Sequence, residues 1–457
     1  MGFLSGNTKK RQSSDFFSSG TKKTPKDTYQ PVDLLVGGKQ NITFKLDQIK
    51  NMVGNKLNQS YNKFVKEVIN RKLIRPEDVR YRFEKIFCNN VSVFENVKSK
   101  CSSGGFKSVI MCKKDSIGSE CNYVYMFDFK KHDNDMGDDA FMQNGQMDLN
   151  VYSASIGASP LYFKSLFISL YNNSRIRIDF MIQPNYGTEL FEFLFVPRNK
   201  NHVPGSKPNL ALSLIFTLTA LYTFIILHSK GITHLDLKPE NINIGDPNSS
   251  SGLIIIDFGL ALNNKFPSKD YSYAGTLDYF TPKIAEKVLD DKVNLKYEDY
   301  YDLDIHSIGI NLVNIMWLNL LQIDKNKYAV CPGKNANVSE SKQMCQYLLC
   351  HFRQDGTLGF DKKVNSIKYK DRDFNDLFNL LKTKAFQMCQ YGFTTYSDGK
   401  NSLNIMRQMY NDIITTIRLR KDKLLPLLRM TPVKLNSVIL KEIDPNFTYA
   451  TSQPSRI

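Results

Sequence analysis

The stretch LALSLIFTLTALYTFIIL, residues 210–227, runs eighteen positions without a charge, and a polar loop, GITHLDLKPENINI, follows it at 231–244. Eighteen apolar residues are the lower limit for a membrane span. A helix that is apolar all round is equally the centre of a large soluble body. The loop follows at once, and the flanking His202, Lys207 and Lys230 show no strong positive-inside contrast. The segment therefore reads as a buried core helix, with no membrane span expected. The 457 residues are enough to build one large two-lobed domain around it.

Within the loop, Asp236, Lys238 and Asn241 stand at i, i+2 and i+5. A carboxylate there can take or orient a hydroxyl proton. The lysine can neutralise a transferring phosphoryl group, and the amide oxygen can ligate a divalent cation. Twenty-one residues beyond Asp236, LIIIDFGLAL places Asp257 at the end of a short apolar strand, where a carboxylate suits magnesium. D-F-G alone is a weak signal. The two motifs in this order, behind a long apolar helix, form a strong one.

Together they resemble the catalytic loop and D-F-G motif of the eukaryotic-type protein kinases. AGTLDYFTPK resembles the end of that family's activation segment, G-T-x-x-Y-x-x-P-E, through Gly275, Thr276, Tyr279 and Pro282. DIHSIGI resembles the D-x-W-S-x-G helix start through Asp304, Ser307 and Gly309. The resemblance is specific over 228–309 and loose over the rest of 91–430. It implies an α+β, bilobal protein-kinase-like fold, with a small antiparallel sheet lobe and a larger, mostly helical lobe.

It also implies roles. Asp236 orients the acceptor hydroxyl, Lys238 stabilises developing charge, and Asn241 and Asp257 hold the metal of ATP-Mg2+, with Mn2+ as a substitute. The Thr276 hydroxyl bridges Asp236 and Lys238, the combination of serine/threonine kinases. Asp304 clamps the backbone of the catalytic loop. Two departures stand out. Leu235 replaces the arginine that holds a phosphorylated activation loop in many kinases. Activity independent of that phosphorylation is therefore expected, with Ser268, Tyr271, Ser272 and Tyr273 as acceptors lacking the clamp. Lys283 replaces a glutamate that normally pairs with a buried arginine, so the large lobe must be tied differently.

The small lobe matches less well. Its glycine-rich loop is best placed at SSGGFKSV, 102–109, through Gly104, Phe106 and Val109, with Ser102 and Lys107 where the family has glycine. Lys130 fits the ATP-orienting lysine, and Lys131 fits if the register slips by one. No glutamate occurs between Glu120 and Glu189; MDLNVYSASIGASPLY resembles the E-x-x-x-Y…G-x-x-P stretch of divergent kinases, which implies Asp148 as the lysine's helix partner, the plainer alternative being a helix cap. In the linker MIQPNYGTELF, Ile182 backs the adenine pocket and Gln183–Asn185 offer backbone hydrogen bonds. Glu189 faces the ribose or a basic substrate residue, and Glu240 likewise suits a basic residue beside the phosphoacceptor; surface charge is the plainer reading of both.

The expected organisation is a disordered basic tail (1–30), a helical extension (31–90), the small lobe (91–185), the large lobe (186–430) and a C-terminal tail (431–457). In the extension, Ile49, Val53, Leu57, Tyr61, Phe64 and Val68 recur at helical spacing, and Pro76 opens a second helix. The first strand is expected near 91–97.

Lys and Arg number 61 against 45 Asp and Glu, a formal charge of +16. That balance favours acidic partners, yet no basic-aromatic motif supports nucleic acid. Protein substrates bearing Ser or Thr are the expected partners. Eight scattered cysteines without a CxxC pair, and no secretory signal, fit a reducing cytoplasm or nucleus. The Asn/Lys/Ile-rich composition and eroded small lobe are similar to kinases of large DNA viruses or AT-rich lineages. The alternative to an active enzyme is a pseudokinase or scaffold that binds nucleotide weakly.

Overall fold

The structure, a computed structural model, describes scattered positions within 59–82, then 99–103, 108–112, 123–132, 162–169, 175–184, 187–195, 202–244, 252–263, 275–289, 297–317, 366–391 and 399–447. Gly104, Phe106, Asp148, Asn185, the tail 1–30, the first strand expected at 91–97 and the acceptors Ser268, Tyr271, Ser272 and Tyr273 lie outside the described residues. Within 59–82 the described positions are helical, and Phe64 is fully buried beside exposed Asn62 and Lys63. Phe64 is the one described member of the spaced set; Ile49, Val53, Leu57, Tyr61 and Val68 lie outside the described residues.

Five strands follow: β1 (Ser99–Ser103), β2 (Ser108–Cys112), β3 (Tyr123–His132), β4 (Tyr162–Ser169) and β5 (Arg175–Pro184). They form one antiparallel sheet in the order β1-β2-β3-β5-β4. Their β-branched and aromatic content suits a pleated surface. Val109 pairs with Ser102 and with Met126. Lys130 pairs with Arg177 and Lys131 with Ile176; Ile182 and Gln183 oppose Tyr125 and Val124. Lys130 shares its register parity with Val124 and Met126, both buried.

The chain continues through β6 (Thr188–Glu189) and α1 (Leu190–Phe195) into a helix-rich body. Its centre is α2 (Lys207–Ser229), the uncharged segment of the sequence. The Ser206 side chain caps its start by accepting from the Asn209 amide at 3.2 Å, and Pro208 occupies the first turn, where its missing N–H costs nothing. Leu210, Ala211, Leu212, Leu214, Ile215 and Phe216 point around the helix, yet each is at most 1% exposed. It is the one helix among the described residues long and apolar enough to cross a membrane, and its burial explains why it is apolar all round. Ser213 and Thr217 donate to carbonyls one turn back, at 2.9 and 2.7 Å.

Short strands then build the floor of the site. They are β7 (Ile232–Thr233), β8 (Ile242–Ile244), β9 (Leu253–Ile255) and β10 (Leu262–Asn263), with β6-β8-β9 in one sheet and β7-β10 in another. Around α2 pack α3 (Pro282–Leu289), α4 (Tyr297–Trp317), α5 (Arg372–Gln390), α6 (Gly399–Leu419), α7 (Lys421–Leu424) and α8 (Ser437–Ile443). Gly309 on α4 shows why the D-x-x-S-x-G pattern ends in glycine here. A Cβ would lie 2.8 Å from the Cys389 amide nitrogen, so α4 and α5 touch backbone to backbone. The core continues past residue 430: Val433, Leu435 and Ile439 are at most 1% exposed, and Tyr410 donates to Glu442 at 2.8 Å.

Candidate active site

The loop 231–244 is held from below by one buried carboxylate. Asp304, on α4 and fully buried, accepts from the His234 amide at 2.9 Å and the Leu235 amide at 2.8 Å, and lies 2.9 Å from His228 Nε2. The clamp implied by the resemblance is thus present as geometry. Leu235 is 2% exposed and has a left-handed backbone, φ 69°. Non-glycine residues reach that region at a cost and persist there only when their surroundings fix them. Here the amide is bonded to Asp304, and Gly275, at φ 113°, crosses the Leu235 carbonyl so closely that a Cβ would sit 2.4 Å from its oxygen. On the other side, the Asn311 amide donates to the Leu237 carbonyl at 3.0 Å. The His234 ring reaches the Ile256 carbonyl at 3.0 Å and lies 4.7 Å from the Phe258 ring, which couples this loop to the D-F-G segment.

On that base four of the expected catalytic residues come together. The Thr276 hydroxyl donates to Asp236 Oδ1 at 2.6 Å, and the Thr276 amide donates to the same oxygen at 3.0 Å. Lys238 donates to the Thr276 hydroxyl at 2.8 Å and stands 3.0 Å from Asp236 Oδ2. The hydroxyl therefore accepts from the lysine and donates to the aspartate, bridging the two loop residues from a position forty residues beyond Asp236. Asn241 Nδ2 donates to the Asp236 carbonyl at 2.8 Å and to Oδ2 at 3.0 Å. Its nitrogen is committed inward, so the amide oxygen is the atom left for a cation.

Asp257 lies two residues beyond β9 and has φ 63°, a second left-handed non-glycine residue in the site. The Ile256 amide donates to the Asn241 carbonyl at 2.9 Å, so the two expected metal ligands flank the paired strands β8 and β9. A carboxylate and an amide oxygen are hard donors that fit a divalent cation sharing its coordination with phosphates. Among the described residues no group of three His, Cys, Asp or Glu forms a self-contained metal site.

Acidic side chains stand beside this cluster. Burial raises the Asp278 carboxyl to about 6, with Glu240 pushing the same way and Lys238 opposing. Glu189 is exposed on β6, opposite Asn243, and its carboxyl is also raised, by partial desolvation and then by Glu240 and Glu192. Tyr279 is raised by burial and then by Glu240, Asp278 and Asp236. Glu189 and Glu240 were legible in the sequence; Asp278 was not singled out, although it lies inside the G-T-x-x-Y motif. Asn311 was missed as well, because only the fold brings α4 beneath Leu237.

Among the small-lobe candidates, Val109, Lys130, Ile182 and Gln183 are placed in the sheet by register. Lys283, the reversed charge, is paired with Asp299 of α4, and Lys287 reaches the other oxygen of the same carboxylate at 2.7 Å.

The protein kinase domain family matches residues 206–366. A probable serine/threonine-protein kinase 2 of Plasmodium falciparum is 37% identical over 131 residues, 28% of this chain and 22% of the relative. Cyclin-dependent kinase 2 of Caenorhabditis elegans is 37% identical over 122 residues, 26% of this chain and 30% of the relative. A serine/threonine-protein kinase H1 homolog of Pinctada fucata is 44% identical over 62 residues, 13% and 15% of the two chains. The chain spans less than a third of the length of each of these relatives. The matched segment holds α2, the catalytic loop, the D-F-G strand, Thr276 and α4, and over it the chain is similar to the protein kinase domain family.

Proposed function

We propose that the protein transfers the γ-phosphoryl group of Mg-ATP to serine or threonine hydroxyls of proteins, with the small sheet lobe and the helical lobe closing on the nucleotide. The observation that carries this reading is the Asp236–Thr276–Lys238 bridge, closed by Asn241. When bound, Mg-ATP supplies the phosphoryl group and the cation's charge. Asp236 is held in one orientation by the Thr276 amide and hydroxyl, so a lone pair meets the acceptor hydroxyl without reorganisation. Lys238 keeps 24% of its side chain exposed, so its ammonium is the partner free to swing towards developing phosphate charge. Asn241 and Asp257 supply the protein oxygens for the metal. Lys130 fills the ATP-lysine role, with Asp148 as its partner, and Gly104, Phe106, Val109, Ile182, Gln183 and Asn185 enclose the nucleotide.

Phosphorylation of the activation segment is dispensable in this account. Leu235 is packed rather than charged, and the loop is fixed through Asp304 and Gly275 instead. Glu189, Glu240 and Asp278 favour acceptors with a basic residue near the hydroxyl. A reducing compartment, cytoplasm or nucleus, suits the scattered cysteines, of which Cys389 is a buried free thiol.

The test is transfer of label from γ-labelled Mg-ATP to a basic Ser/Thr protein, with Asp236→Asn as control. Label that appears with the wild type and is lost in the variant supports the assignment. Transfer that survives Asp236→Asn sinks it, and Mg-ATP binding without transfer assigns a scaffold.

A further inference from the structure

We infer that Asp299, with Lys283 and Lys287, positions the substrate-facing segment 275–281 for transfer; the inference rests on the kinase reading above. Asp299 is 1% exposed and stands near the start of α4. One of its oxygens pairs with Lys283 and the other with Lys287 at 2.7 Å, both from α3. The lysine side chains remain 29% and 25% exposed, so the buried member is the carboxylate. A buried carboxylate stays charged only when it is well paired, and removing its partners leaves a costly orphan.

Its position makes it more than a local staple. Asp299 and Asp304 lie five residues apart on one helix and face different segments of the site. Asp304 bonds the Leu235 amide, and the next residue, Asp236, bonds Thr276. Seven residues beyond Thr276 the chain reaches Lys283, which returns to Asp299. The Thr281 hydroxyl accepts from the Ile284 amide at 3.2 Å and starts α3 at the point where it must meet α4. The result is a closed ring: α4, the catalytic loop, Thr276, α3, and back to α4. Opened at Asp304, the ring would release the aspartate that handles the proton. Opened at Asp299, it would release the segment that presents Thr276, with the loop 231–244 still clamped. Lys283 and Lys287 share one carboxylate from successive turns of α3, so each partly covers the loss of the other.

The experiment compares Asp299→Asn, Lys283→Met, Lys287→Met, the double Met variant and Lys283→Arg. Lys384→Met, which breaks the Lys384–Asp412 pair at 2.6 Å between α5 and α6, is the control. Steady-state transfer is read as kcat and KM for the protein acceptor and, separately, KM for Mg-ATP. Hydrogen exchange is followed over 276–289 and over α5. For Asp299→Asn and for the double variant, kcat/KM for the acceptor should fall about tenfold. KM for Mg-ATP should hold, and exchange should rise over 276–289 only. Each single Met variant should lose less than the double, Lys283→Arg should restore most of the activity, and Lys384→Met should match the wild type. The inference is overturned if Asp299→Asn leaves acceptor kinetics intact, or if acceptor kinetics, KM for Mg-ATP and exchange over α5 all change in step. If the wild type transfers no phosphoryl group, the kinase reading fails. The exchange pattern then still decides whether Asp299 holds the segment.

Discussion

Leu235 is where this chain departs most visibly from the kinase pattern it resembles, and its surroundings explain how the departure is tolerated. An arginine at that place works by charge, whereas Leu235 is buried and its backbone is fixed at both its amide and its carbonyl. Gly275→Ala should therefore be damaging. Its Cβ would press on the Leu235 carbonyl at 2.4 Å and would have to adopt φ 113°, at a cost of about 2 kcal/mol or more. A thermal melt should register that loss, and transfer should fall further than stability alone requires, because Thr276 is the next residue. Asp278 gives a second prediction. Its carboxyl is raised to about 6 by burial, so the folded state favours the protonated form. The stability linked to this group is greatest below the usual aspartate value and is lost as pH rises through about 6. Charge in the acidic cluster rises over the same interval. KM for a basic acceptor peptide should drop as pH rises through about 6, and Asp278→Asn should flatten that profile. The contacts of Asp236 with Lys238 and Asn241 were legible because they span at most five residues. Those of Asp278 and Lys287 depend on where α3 and α4 settle, and spacing alone does not encode that.

At the scale of elements, α2 and α4 carry the site. The uncharged run was readable as a core helix from composition and from the polar loop behind it. What could not be read was the sheet order β1-β2-β3-β5-β4, since alternation fixes faces but not neighbours. Helix α4 contains a further surprise at His306, where the family pattern has tryptophan. The ring is fully buried, bonds the Cys389 carbonyl at 2.9 Å, and burial lowers it to about 4. A depressed histidine contributes stability that is complete above its ordinary value of 6.5 and is lost as pH falls towards 4. Acid should cost the fold up to about 3 kcal/mol through this residue. Denaturant melts of the wild type and of His306→Phe across that interval should show the variant to be less acid-sensitive. Gly309→Ala, one turn on, should destabilise by about 1–3 kcal/mol, because α5 leaves no room for a methyl group.

For the whole molecule, the large lobe does not end with α7. Residues 431–447 return to the core. Thr431 bonds the buried His202 at 3.1 Å, Asn436 caps α8 by accepting from the Val438 amide at 2.8 Å, and Ile439 is fully buried. The short α8 has too few turns for its periodicity to stand out in sequence, which is why this part reads as a tail. Truncation after Met430 would expose Val433, Leu435, Ile439 and Ile443 together. Soluble yield and cooperative unfolding should both collapse. The account as a whole stands on Asp236 working in a loop that needs no phosphate. The most direct test is transfer of γ-labelled phosphate from Mg-ATP to a basic Ser/Thr protein, by wild type and Asp236→Asn after both have been treated with phosphatase. Label carried by the dephosphorylated wild type and absent from the variant is the predicted result. Label equal in the two, or lost from the wild type on dephosphorylation, would contradict it.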